Sequence, residues 1–152
     1  MTLLTNILQP TGVKVPLDSI DKETAISELI ELLDANGLIN DKELVSDAVF
    51  TREQTRSTGI GSGIAIPHGK CTAVSELVMA LGITPDMDFD SIDGQPVHII
   101  ILLVSPTDQT GPHIQALASI SRLMLDDEFK QSLEQATSAE QAYKLLQDKE
   151  NE

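Results

Sequence analysis

The run VHIIILLVS at positions 97–105 constrains this chain more than any other stretch. Six consecutive aliphatic residues, Ile99 to Val104, leave no polar face, so a strand made from them is covered on both sides. Such a strand needs helices above and below its sheet, and the run alone therefore predicts a layered α/β fold. With 152 residues the chain reads as one domain, 1–152, able to bury roughly 70% of its unfolded surface.

The rest of the pattern supplies the helices. Asp21 to Asn36 places Ile26, Leu29, Ile30 and Leu33 on one face and stops at Gly37. Asn40 with Glu43 reads as a capping box for a second helix, with Leu44, Val45, Ala48 and Val49 as its stripe and an end near Arg56. Short strands are predicted at Ile64–Ile66 and Leu77–Ile83, and Asp86 to Gln95 reads as a polar turn before the long apolar run. Beyond the loop at Pro106 to Gly111, Pro112 takes the first position of a helix that carries Leu117, Ile120 and Met124 at helical spacing. Two shorter helices follow near Asp127–Gln135 and Ser138–Gln147, the latter opened by a Ser138/Gln141 box. The predicted order is two helices, three strands, three helices.

Charge narrows the partners. Twenty-four acidic residues against ten basic ones give a net charge of −14, with the positive charges scattered. Such a surface repels phosphate backbones, which disfavours nucleic acid and anionic membranes and suits a basic protein partner; it also serves solubility. Cys71 is the only cysteine, so neither a disulfide framework nor a Cys-rich zinc site is expected, and a reduced cytoplasm fits best. The first residues, MTLLTNILQPTGVKVP, lack the basic flank and apolar core of a signal peptide, and no run approaches the roughly 20 residues of a membrane helix. A soluble, cytoplasmic chain is the expectation.

Chemistry concentrates between Ser57 and His68, STGIGSGIAIPH. Glycines at 59, 61 and 63, an apolar triplet and Pro67 deliver an imidazole to the end of a short buried strand, beside a loop whose N–H groups can approach an anion. The glycine spacing fits neither a dinucleotide fingerprint nor a Walker A loop, the histidines are too dispersed for a zinc site, and no GxSxG elbow marks a nucleophilic serine. No metal and no cofactor are expected. Neutral imidazole is a competent nucleophile near pH 7, and a phosphoryl group on it needs its charge held. His113, in the first turn of a helix, and Arg52, whose guanidinium can grip two phosphoryl oxygens, are the natural partners; Arg56 and Lys70 come second. His98 reads as structural, Glu53 as a surface acid, and Cys71 lacks a basic cluster to activate it. Each feature also has a plain structural reading, and spacing alone leaves open whether His68 and His113 face each other.

Taken together, Arg52-Glu53, STGIGSGIAIPHG from Ser57 to Gly69, FDSIDGQPVHIIILLVSP from Phe89 to Pro106, and the helix starting at His113 with Leu117 resemble the type-2 enzyme IIA domain of the bacterial phosphoenolpyruvate-dependent sugar phosphotransferase system, the fructose/mannitol/nitrogen class. The resemblance implies a mixed sheet flanked by helices on both faces. It also implies a phosphocarrier in which His68 is phosphorylated at Nε2, His113 stabilises the phosphoryl group and Arg52 is its phosphate partner. The implied donor is phospho-HPr and the implied acceptor a cysteine of an enzyme IIB domain, with the membrane reached only indirectly, through IIC. In-line transfer then asks the protein for positioning and charge stabilisation, not for metal or nucleotide. TGIGSGIAIPHGK resembles the nitrogen-regulatory subclass, whereas DGQPVHIIILLVSP and GPHIQALASISRLM resemble the fructose type, so both a transport and a regulatory role follow from the resemblance.

Overall fold

The structure, a computed structural model, describes residues 3–152. A 3-10 turn at Leu4–Asn6 leads into β1 (Leu8–Lys14), α1 (Lys22–Ala35) and α2 (Lys42–Thr55). Five strands follow: β2 (Gly59–Gly61), β3 (Ile64–Ala65), β4 (His68–Lys70), β5 (Val78–Met87) and β6 (Val97–Ser105). The chain closes with α3 (Thr110–Leu123), α4 (Asp127–Glu134) and α5 (Ala139–Glu150).

The predicted covered strand is β6, at the centre of a six-stranded mixed sheet of order β1-β5-β6-β3-β2, with β4 also on β6. It runs antiparallel to β5, from Val78↔Val104 to Ile83↔Ile99, and parallel to β3 and β4 on its other edge. Its alternating residues divide between two cores. Ile100, Leu102 and Val104 join Ile26, Leu29, Ile30 and Leu33 of α1 and Val45 and Val49 of α2. Ile99, Ile101 and Leu103 join Ala116 and Ile120 of α3, Phe129 and Leu133 of α4, and Ala142 and Leu146 of α5. Every one of the six β6 side chains is at most 3% exposed, and each contributes about 1.5–3 kcal/mol by leaving water.

Several local expectations shift by a residue or an element. Asp41, not Asn40, caps α2, its carboxylate accepting the Leu44 N–H at 3.1 Å, and the Asn40 N–H that a capping box would give to Glu43 is held by the Ala73 carbonyl at 2.9 Å. Pro112 is the third residue of α3 instead of the first, which a first turn tolerates because its N–H groups have no intrahelical acceptor. Ser138 caps α5 as expected, but Gln141 reaches back to the Thr137 N–H at 2.9 Å. Asp86 lies in β5 and not in the turn. The order of residues also gave no sign of β1, whose Pro10 and Gly12 break any alternation. A strand edge tolerates such residues, and β1 pairs with the rest of the sheet only through β5.

Candidate functional site

His68 opens β4 and does not end β3, and the reason is Pro67. The two short strands keep one register on β6, Ala65↔Ile100 and His68↔Leu103, so they are a single strand interrupted at Ile66 and Pro67. The Ile66 N–H donates to the Thr58 carbonyl at 3.0 Å, and the Pro67 carbonyl accepts from the Leu103 N–H at 3.0 Å. Proline has no N–H of its own to add to the ladder. Within this break the Ile66 carbonyl lies 2.7 Å from Nδ1 of His68. A carbonyl only accepts, so Nδ1 carries the ring proton and Nε2 presents its lone pair.

Gly69 brings the next component. A Cβ there would come within 3.1 Å of the Ala48 and Val49 backbone, so α2 lies directly against β4 at this point. Arg52 follows one turn along α2, lining with Arg56, Ser57, Ile60, Leu117 and His68 a cleft of about 300 Å³. Its guanidinium donates to the Arg56 carbonyl at 2.8 Å and closes the last turn of the helix.

His113 approaches from the other layer. It sits in the first turn of α3, 4% exposed, with its ring centroid 5.3 Å from that of His68 and the two planes inclined at 61°. Its Nδ1 is 2.6 Å from the hydroxyl of Ser105, the last residue of β6. Burial, then the facing His68 and Lys70, push the pKa of His113 down to about 4. Burial also holds His68 below its ordinary value; the Arg52 and Lys70 charges act in the same sense, while the Ile66 carbonyl and Glu53 pull the other way. Both rings are therefore neutral at pH 7. The arrangement places the anchored imidazole of His68 and the Arg52 guanidinium on one cleft, with the neutral ring of His113 buried behind His68.

Other expectations need correction. Glu53 is 7% exposed instead of a surface acid. Its carboxylate accepts from the Thr58 N–H at 2.8 Å and the Thr58 hydroxyl at 2.6 Å, and pairs with Lys22 Nζ at 2.8 Å, tying the loop behind the cleft to α1 and α2. The glycine loop is a scaffold, not an open cradle. Gly61 (φ +97°), Ser62 (+58°) and Gly63 (+82°) turn the chain from β2 to β3. The Gly59 N–H donates to Ser57 Oγ and the Ser62 N–H to Asp93 Oδ2, so those amides are committed within the chain. His98, at the opposite end of β6, contacts Asp86 Oδ1 at 2.5 Å and stays away from the cleft, in line with a structural role. Sequence reasoning missed Ser105 as a contact of His113. The available signal was a hydroxyl closing an otherwise aliphatic strand. A larger cavity of about 520 Å³, between the ends of α3 and α5, is lined by no histidine or cysteine among the described residues.

The family described as "Phosphoenolpyruvate-dependent sugar phosphotransferase system, EIIA 2" matches residues 6–149. The PTS system fructose-specific EIIABC component of Bacillus subtilis is 35% identical over 136 residues; these cover 89% of this chain but only 21% of that protein, so the chain spans about a fifth of its length. The nitrogen regulatory protein of Escherichia coli is 37% identical over 127 residues, 81% of this chain and 77% of that one. The crystal structure of nitrogen regulatory protein IIA-Ntr from Neisseria meningitidis superimposes with a TM-score of 0.86 at 29% identity, covering 95% of this chain and 99% of that one. With a match across almost its entire length, the chain belongs to the EIIA type-2 family of the phosphoenolpyruvate-dependent sugar phosphotransferase system.

Proposed function

We propose that this chain is a phosphocarrier in which Nε2 of His68 attacks the phosphorus of phospho-HPr. The N–P bond of the donor breaks as the new one forms, and the donor imidazole leaves with the electron pair. A cysteine thiolate of an enzyme IIB domain then attacks the same phosphorus, and His68 departs as neutral imidazole. The observation that carries this reading is the 2.7 Å contact from His68 Nδ1 to the Ile66 carbonyl, which directs the lone pair of Nε2 away from the backbone. Arg52 grips phosphoryl oxygens through its fork, and His113 donates to them. Exposed Ile60 and Ile92 on the rim, 44% and 61% accessible, supply apolar area for a docking protein. No helix among the described residues is long and apolar enough to cross a membrane; the proposed role, fed by phosphoenolpyruvate, implies a cytoplasmic location.

A second reading is supported by the likeness to nitrogen regulatory proteins, 37% identity in one and a TM-score of 0.86 in another. In that reading phosphorylation of His68 switches which protein the chain binds. Transport is favoured on the apolar strand and the α3 segment, which resemble the fructose type. Incubation with phosphoenolpyruvate, enzyme I and HPr, then with a panel of IIB domains, tests both. Transfer from labelled His68 to a IIB cysteine is expected; labelling without any such transfer turns the choice to regulation, and an unlabelled wild type removes both.

A further inference from the structure

Ser105 is the last residue of β6, fully buried, and held on both sides of its peptide: it pairs with Lys70 of β4, and its carbonyl accepts the Cys71 N–H at 3.0 Å. Among the described residues, its hydroxyl has one hydrogen-bond partner, Nδ1 of His113 at 2.6 Å. A hydroxyl has a single proton, and in a site closed to water that proton needs an acceptor. If His113 carried its proton on Nδ1, the two donors would meet at one oxygen and the serine proton would have no acceptor there. Donation from Ser105 to a bare Nδ1 resolves this and leaves the proton of the neutral ring on Nε2.

We propose that Ser105 is a positioning residue that fixes His113 as the Nε2–H tautomer, so that this ring offers an N–H donor to a phosphoryl group on His68. The two histidines are then set in complementary forms by two different anchors. The Ile66 carbonyl accepts from His68 Nδ1–H and so leaves Nε2 bare; the Ser105 hydroxyl, donating to Nδ1 of His113, does the reverse for that ring. One ring becomes the nucleophile and the other the donor, with neither charged. The donor role rests on the phosphocarrier reading; the tautomer does not.

Long-range proton–nitrogen NMR of the full chain at pH 7 reads the tautomer directly. His113 of the wild type is expected to carry its proton on Nε2, Ser105→Ala to show a mixture, and Ser105→Thr, which keeps a hydroxyl, to restore the wild-type form. Phosphoryl transfer from phospho-HPr is expected to slow about tenfold in Ser105→Ala, by analogy with the loss when a partner orienting a metal-bound histidine is removed, and to recover in Ser105→Thr. A wild-type His113 protonated at Nδ1 overturns the proposal, and needs no variant to fold. So does a Ser105→Ala protein that is slow with an unchanged tautomer, since the loss is then one of packing. A wild type that accepts no phosphoryl group overturns the carrier reading and the donor role with it, while the spectrum still decides the tautomer.

Discussion

β6 carries a histidine environment at each end, and they are built on opposite principles. At its start His98 lies between acids, 2.5 Å from Asp86 and 3.8 Å from Glu134. At its finish the His68–His113 pair has no carboxylate ion pair among the described residues; it is framed by a carbonyl, a hydroxyl and nearby cations. The nearest relevant acid, Glu53, is already committed to Thr58 and Lys22. Burial beside positive charge favours the neutral imidazole at the finish of the strand. The proposed attack on phosphorus uses this environment, whereas His98 contacts a neighbouring strand and a helix through Asp86 and Glu134.

The sharpest way to break this contrast is to delete each ring. His68→Ala is expected to abolish labelling from phospho-HPr, while His98→Ala keeps transfer close to the wild-type rate; retained labelling on His68→Ala would relocate the nucleophile. The next effect in size concerns the second ring. His113→Ala is expected to slow transfer about 10²-fold, the scale of a lost transition-state donor, without weakening HPr binding in a titration. Equal rates would take His113 out of the chemistry.

Acid sharpens the contrast further. His113 titrates at about 4 in the folded chain against an ordinary 6.5, so the unfolded chain binds the extra proton first. Its contribution to stability is complete above pH 6.5 and is lost as pH falls from there toward 4. His68 is shifted in the same direction. The midpoint of any loss of transfer in acid should therefore lie below pH 6.5. A transfer rate that halves around pH 6.5 would show that the rings lack this protection. The smallest effect is expected at the other end of the strand. Asp86→Asn removes a partner whose side chain is 78% exposed, and should cost about 0–1 kcal/mol in denaturant unfolding with no change in transfer.

Much of the fold was legible because β6 announces itself: an unbroken aliphatic run has one stable home, and the helical stripes around it have one face to bury. β1 was not legible, since an edge strand with exposed Gln9, Pro10 and Thr11 has little apolar pattern to give. The positions of His68 and His113 could be singled out by residue type and neighbours, yet their 5.3 Å contact depends on how far α3 swings back over the sheet, which no local pattern encodes. Glu53 was misread for a related reason. Its partners, Thr58 and Lys22, lie in a loop and on another helix, and an acid in a last helical turn looks solvated until both arrive.

The cleft has a consequence for how completeness of folding is sensed. Arg52 rides on α2, within one layer, and His113 on α3, within the other, while His68 stands at the seam between them. A chain with either layer undocked keeps His68 but loses one of the two flanking groups. In the proposed phosphocarrier role, a donor that requires all three would discriminate against half-assembled molecules, and phosphorylation would report that both layers have closed on the sheet.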